Sequence, residues 1–225
     1  MTLPPSDICA DTAEGIFGRC SWFYALCREQ LFADHTDEIA RSMAPVLYQK
    51  RRPLLLEVGC GPGFYSYRLA KRFPHVEVVG IDPSERLLMR ARSRAQREAL
   101  QNCRFVRGRA HQLAGFPEEA DFIIASRLFL ILSNRRSVLE AIYVALRPSG
   151  LLFVAEPLSP LRAALPLTCM RIWQALAGAG SSADFAQCNV LEKPQFAAFV
   201  ASQPWKRVRH WSDQRYQYAL CEKSA

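Results

Sequence analysis

Three glycines at alternate positions, Gly59, Gly61 and Gly63, follow the apolar run Leu54 to Val58 and precede an amphipathic stretch that opens at Phe64. A side chain there would keep the backbone from a bound group and from positive φ. The pattern therefore reads as a strand, a tight turn and a helix N-terminus that together cradle a ligand. The spacing is G-x-G-x-G, with Phe64 standing where the dinucleotide form G-x-G-x-x-G needs its last glycine. Glu57, before the first glycine, would repel a pyrophosphate and suit a ligand that carries a cationic amino acid part. Further along, Val76-Glu-Val-Val-Gly-Ile-Asp82 reads as a second strand ending in an acid, whose carboxylate can accept both hydroxyls of a ribose. Pro83 follows, then Ser84, a suitable cap for the next helix.

Other side chains could act on a second reactant. Arg127, in Ser126-Arg-Leu-Phe-Leu-Ile-Leu132, can pair with a carboxylate or phosphate, or equally form a structural ion pair. The apolar neighbours Leu128, Phe129 and Ile131 suit a flat or greasy partner. His111 is the best-placed candidate base, although a histidine there can also be a packing residue, and His35, His75 and His210 have lower claims. The eight cysteines (9, 20, 27, 60, 103, 169, 188 and 221) show neither a CxxC pair nor a histidine at zinc spacing. Reduced thiols and no bound metal are the expectation.

These residues need elements to position them. Helical segments are expected over the first 50 or so residues, the second starting at Thr36 as N-cap and reaching Tyr48 with a kink at Pro45. Strands are expected at Leu54–Val58, Val76–Ile81, Cys103–Val106, Phe122–Ala125 and Leu151–Ala155, with helices at Phe64–Phe73, Ser84–Leu100 and Arg135–Leu146 between them. Strict alternation of strand and helix means a parallel sheet with helices on both faces. A helix at Pro194–Ala201 and an antiparallel hairpin, Lys206–Trp211 with Tyr216–Cys221, would close one edge. The fold class is α/β, a Rossmann-like doubly wound mixed sheet with N-terminal capping helices. One domain over residues 1–225 is expected: a helical cap (1–50), a cofactor-binding core (51–157) and substrate-side helices with the hairpin (158–225).

The chain carries a net charge of +8 from 29 Lys and Arg against 21 Asp and Glu, a balance that favours anionic partners without naming one. Part of it is a solvated helix face, since Arg86, Arg90, Arg94 and Arg97 lie opposite Leu87, Leu88, Ala91 and Ala95 at helical spacing. Half of the residues are hydrophobic, ordinary for a globular domain and contrary to disorder. No apolar run approaches the ~20 residues of a membrane span, and the N-terminus lacks a signal-peptide pattern, so a cytoplasmic location is expected.

The chain resembles the class I S-adenosylmethionine-dependent methyltransferases, and among them the small-molecule branch that includes the ubiquinone and menaquinone methyltransferases. The resemblance spans residues 17–157. It rests on Glu57-Val-Gly-Cys-Gly-Pro-Gly63, Gly80-Ile-Asp82 with Ser84, Phe105-Val-Arg-Gly-Arg-Ala110 and Arg147-Pro-Ser-Gly150. It implies S-adenosyl-L-methionine as cofactor: Glu57 and the backbone of Gly59, Cys60, Gly61 and Gly63 at the methionine part, Asp82 with Pro83 at the ribose, Arg109, Ala110 and His111 beside the adenine, and Ser126 near the methyl group. Where the family usually carries an acid for the adenine amino group, this chain has Arg109, which cannot accept a hydrogen bond. Tyr24 and Trp22 resemble aromatic positions that close over the cofactor, while Trp173, Phe185 and residues 158–189 fall where the family inserts substrate-recognition elements.

Such transfer needs alignment and exclusion of water more than a conspicuous catalytic group, so His111, Arg127 and Tyr24 are the candidates for that role. The acid or amide followed by Pro-Pro-aromatic that marks methylation of base amines is absent after the fourth strand, which disfavours a nucleic-acid amine. A small apolar or aromatic acceptor is the leading expectation, with oxygen, nitrogen and carbon all open. The alternatives are an RNA methyltransferase, a catalytically silent cofactor-binding partner subunit, and a metalloid methyltransferase using Cys27, Cys169 and Cys188.

Overall fold

Seven strands form one sheet in the computed structural model, which describes residues 33–116, 119–159 and 190–225. Chain order gives α1 (Thr36–Gln49), β1 (Leu54–Val58), α2 (Phe64–Arg72), β2 (Glu77–Asp82), α3 (Glu85–Arg97), β3 (Cys103–Arg107), β4 (Ala120–Ser126), α4 (Arg135–Ala145), β5 (Leu146–Pro157), α5 (Lys193–Val200), β6 (Trp205–Ser212) and β7 (Tyr216–Lys223). Short 3-10 turns lie at Ala110–Gly115 and Phe129–Ile131.

The strand order is β3-β2-β1-β4-β5-β7-β6. From β3 to β5 all pairs are parallel; β7 runs antiparallel to both β5 and β6. β1 has every residue buried, as a central parallel strand covered on both faces should. One face packs α4 and α5 over Ile123, Leu152 and Val154. The other packs α1 and α2 over Leu55, Phe122 and Phe153. In α3 the arginine stripe lies opposite buried Leu87, Leu88, Ala91 and Ala95, and Arg94 stacks over the Tyr67 ring.

Two boundaries differ from expectation. Thr36 is the first helical residue and not the cap: the Asp34 carboxylate accepts both its N–H and its hydroxyl, with His35 at the N-cap position. β5 begins at Leu146, five residues before the expected Leu151, because Leu146 pairs with Ala120 before a register shift in β4. Arg147-Pro148-Ser149-Gly150 has the composition of a turn, and Ser149 takes a positive φ of 60° inside the irregular strand. No described helix is long and apolar enough to cross a membrane.

Candidate functional site

Because β2 lies on one side of β1 and β4 on the other, the chain reverses its winding beside β1, and a crevice opens outside the carboxyl ends of β1 and β4. The turn after β1 lies in that crevice. Gly59, Gly61 and Gly63 have φ of 71°, 53° and 74°. Gly59 and Cys60 donate their N–H groups to the Ile81 carbonyl at 2.8 and 3.1 Å, which ties the turn to β2. A Cβ at Gly63 would lie 2.7 Å from the Phe105 ring and 3.0 Å from the Ala91 Cβ. The glycine therefore serves internal packing as well as backbone geometry. The Cys60 side chain is buried with Leu88, Ala91 and Phe105, and burial pushes its thiol pKa well up.

Asp82 ends β2 and fastens two loops at once. Its Oδ2 accepts the Gly61 N–H at 2.8 Å and its Oδ1 the Ser84 N–H at 2.9 Å. That geometry makes Asp82 a turn anchor and still leaves room for a ligand, since each carboxylate oxygen can accept a further hydrogen bond. Burial pushes its pKa up to about 6 against the pull of those two N–H groups. Pro83, half-buried, accepts from the Arg107 guanidinium through its carbonyl.

Glu57 is 4% exposed, and its Oε2 accepts both the N–H (2.7 Å) and the hydroxyl (2.5 Å) of Ser66 in the first turn of α2. The acid expected beside a cationic ligand is thus also the anchor of the helix that follows the glycine turn. After β3, Arg109 precedes the 3-10 turn, its N–H donating to the Gln112 side chain at 3.3 Å. Arg109 and Ala110 are half-buried; His111 is exposed on the turn.

At the end of β4, Ser126 is half-buried with its hydroxyl oxygen lacking a hydrogen bond among the described residues. Arg127 adopts a φ of 56°, its N–H bonded to the Ala155 carbonyl at 2.8 Å and its guanidinium donating to the Tyr216 hydroxyl at 2.9 Å. The apolar residues after it do not line the crevice as expected. Leu128 and Phe129 are 5% and 0% exposed and belong to the core under α4, where Phe129 packs edge-on against Phe199; Ile131 is half-buried on the same turn. A side chain holds the turn there: the Glu156 carboxylate, buried in β5, accepts the Phe129 N–H at 2.8 Å. Burial raises the Glu156 pKa to about 7 despite Arg127 and Arg135 nearby.

Sequence reasoning passed over Glu156, whose one signal is an acid inside a run buried on both faces. It also gave His35 little weight and gave Asp213, Tyr216 and Tyr218 no role beyond the hairpin. His35, 4% exposed, lies edge-on to Tyr216 at 4.4 Å and to Tyr218 at 5.3 Å. Tyr218 donates its hydroxyl to Asp213 at 2.6 Å, and Asp213 also accepts the Tyr216 N–H at 2.7 Å. Burial, then the Asp213 carboxylate, raise the Tyr218 pKa far above the usual phenol range, so it stays protonated. Tyr24, Trp22, Trp173, Phe185, Cys27, Cys169 and Cys188 lie outside the described residues.

Comparison with known proteins places this geometry among relatives. Residues 55–150 match a family model described as a methyltransferase domain. A trans-aconitate 2-methyltransferase of Methylobacterium radiotolerans is 32% identical over 131 residues, which cover 56% of this chain and 48% of that protein. A tRNA (guanine-N(7)-)-methyltransferase of Rubrobacter xylanophilus is 41% identical over 63 residues, 28% of each. The chain thus spans about half the length, or less, of the curated relatives it matches. Among solved structures, a magnesium protoporphyrin IX methyltransferase from Synechocystis PCC 6803 with bound SAH superposes with a TM-score of 0.64 at 15% identity, covering 96% of this chain and 100% of that one.

Proposed function

We propose that this chain is a class I S-adenosylmethionine-dependent methyltransferase that transfers a methyl group to a small-molecule acceptor in the cytoplasm, a reading supported by the methyltransferase-domain match and the methyltransferase relatives. The observation that carries the reading is the Asp82 carboxylate, buried at the end of β2 and hydrogen-bonded to Gly61 in a turn of three left-handed glycines. The cofactor fits these residues. A glycine turn at a helix N-terminus leaves backbone exposed to a ligand, and a strand-end carboxylate with spare acceptor capacity suits two ribose hydroxyls. When bound, S-adenosylmethionine supplies an electrophilic methyl group on a sulfonium leaving group.

The chain's own part is binding, orientation and exclusion of water. The backbone from Gly59 to Gly63, with Glu57 beneath it, would hold the methionine part. Asp82 and Pro83 would hold the ribose, with Arg109, Ala110 and His111 at the adenine edge. Arg109 brings donors only, so adenine recognition would fall to the turn backbone. Ser126 and Arg127, at the end of β4, stand where an acceptor would meet the methyl group. Exposed on its turn, His111 is poorly placed to take a proton from a sequestered acceptor.

The trans-aconitate relatives support a small organic acceptor. The core placement of Leu128 and Phe129 withdraws the apolar wall that had favoured a greasy one. A second reading, methylation of RNA, is favoured by the net charge of +8 and by the short match to the tRNA methyltransferase. Calorimetric titration with S-adenosylhomocysteine, beside Asp82→Ala as control, tests the assignment. Micromolar binding lost in the variant supports it, and a folded wild type that binds nothing ends it. Salt-sensitive RNA binding by the cofactor complex would move the acceptor to the second reading.

A further inference from the structure

Of the four histidines, three are exposed and His35 is buried, at 4% exposure. It precedes α1, and aromatic rings from two other elements pack round it. Tyr65 in α2, two residues past the glycine turn, lies nearly parallel to its ring at 6.2 Å, and Tyr216 and Tyr218 in β7 stand edge-on at 4.4 and 5.3 Å. Tyr216 also receives the Arg127 guanidinium at its hydroxyl, so the cluster adjoins the segment after β4. A chain of hydrogen bonds leads from the His35 ring to the turn between β6 and β7. His35 Nδ1 lies 3.3 Å from the Tyr218 hydroxyl oxygen, and that oxygen lies 2.6 Å from Asp213 Oδ2. The other carboxylate oxygen, Oδ1, accepts the Arg215 N–H at 2.6 Å and the Tyr216 N–H at 2.7 Å.

Proton positions along this chain follow from counting donors. Burial works to raise the Asp213 pKa, but hydrogen bonds from Tyr218, Arg215 and Tyr216, with His35 nearby, together hold it below the usual carboxylate range, so the group is ionised and only accepts. Two oxygens 2.6 Å apart need a proton between them, and Tyr218 supplies it. A phenol has one proton. Tyr218 therefore has none left for His35, and its oxygen must accept from the ring. We propose that Asp213 and Tyr218 are positioning residues that fix His35 as its Nδ1–H tautomer, so that Nε2 is the ring nitrogen that accepts a hydrogen bond or takes up a proton. A proton added at Nε2 gives the imidazolium with every bond of the chain intact, and the Asp213 charge, two hydrogen bonds away, stabilises it. Glu38 is a further negative charge near Tyr218, and Tyr65 and Tyr216 are the other titratable groups against the ring. The inference stands on these contacts and is independent of the methyl-transfer reading.

The test is long-range proton–nitrogen NMR of the full chain with isotope-labelled histidine at about pH 8, where an ordinary imidazole is neutral. His35→Gln assigns the ring. The wild type should carry the His35 proton on Nδ1, in about tenfold excess over the other tautomer, as one net hydrogen bond provides. Asp213→Asn should reverse it. The asparagine oxygen has to replace Oδ1 for the two backbone N–H groups, which turns the amide N–H toward the Tyr218 oxygen; the tyrosine then donates to Nδ1, and the ring proton moves to Nε2. Tyr218→Phe removes the acceptor and should leave a mixture of tautomers. A cooperative thermal melt shows that a variant is folded. A wild-type His35 protonated on Nε2, or present as a mixture, overturns the proposal by itself. So does a folded Asp213→Asn or Tyr218→Phe that keeps the proton fixed on Nδ1, since the burial of the ring alone would then set the tautomer.

Discussion

Cofactor affinity should rise with pH across the acid range, and Asp82 sets by how much. Burial holds its pKa at about 6, so the carboxyl of the ligand-free protein is mostly protonated at pH 5 and mostly ionised at pH 7. Ribose hydroxyls donate, and the ionised form is the better acceptor. If only that form binds tightly, apparent affinity scales with its population, about 9% at pH 5 and about 91% at pH 7, a roughly tenfold gain. The sign for stability is opposite. A carboxyl whose folded pKa is raised from 3.8 to about 6 contributes stability below about pH 4 that is lost as pH rises through 6, roughly 3 kcal/mol for two units. The ligand-free protein should therefore weaken over the interval in which its ligand binds better. S-adenosylhomocysteine titrations at pH 5, 6 and 7, with thermal melts of the same samples, measure both slopes. Asp82→Asn removes the titrating group and should flatten both, leaving any contribution of Glu156 in place. A wild-type affinity that does not change with pH, or an affinity slope that survives in Asp82→Asn, would refute the reasoning.

Other outcomes follow from individual contacts. Gly63→Ala should lower stability by about 2–4 kcal/mol in urea titrations, the sum of a left-handed φ and a Cβ 2.7 Å from the Phe105 ring, and Phe105→Leu in the same chain should recover part of it. Glu156→Gln should gain stability over wild type as pH rises from about 5 to 8, by up to about 3 kcal/mol, because a carboxyl raised to about 7 costs more to keep as it ionises; parallel melting profiles would show an unshifted Glu156. Arg109→Asp should tighten S-adenosylhomocysteine binding severalfold by restoring an acceptor at the adenine edge, and unchanged affinity in calorimetry would show that adenine does not reach that residue.

The sheet was legible in the sequence because its strands are buried on both faces and its helices on one. Leu54–Val58 reads as a strand for the same reason that all five of its residues are buried. The arginine stripe of α3 reads as solvent-facing because Leu87, Leu88, Ala91 and Ala95 recur at helical spacing. The glycine turn and Asp82 were legible because backbone geometry at a strand end leaves a local signature. What lay beyond sequence reasoning was non-local. Arg127 meets a tyrosine 89 positions away, and His35 meets one 183 positions away. No periodicity records such pairings. Leu128 and Phe129 were read as a pocket wall because apolar residues near a site look alike whether they face it or the core. Here Glu156, which accepts the Phe129 N–H, holds the turn on the core side.

Three acids at the carboxyl ends of the strands do the same job for different loops. Glu57 in β1 holds Ser66 at the start of α2, Asp82 in β2 holds the glycine turn after β1, and Glu156 in β5 holds the turn after β4. Each accepts a backbone N–H from the segment that follows a strand, a helix start for Glu57 and a turn for the other two, and each is nearly buried. At the opposite end of the sheet, Asp121 also accepts a backbone N–H, from Leu54, and pairs with Lys50 and Arg147, and burial raises its pKa as well. For Asp82 and Glu156 desolvation outweighs the hydrogen bonds, since both pKa values are raised and not lowered. As structural devices alone they are therefore expensive, and an asparagine or glutamine would cost less in charge burial. At Asp82 an acid is the better choice if donors arrive later, as a ligand's hydroxyls would. Segments fixed in advance by carboxylates that accept their backbone N–H groups lose little freedom when a ligand binds, which offsets the cost of burying these charges.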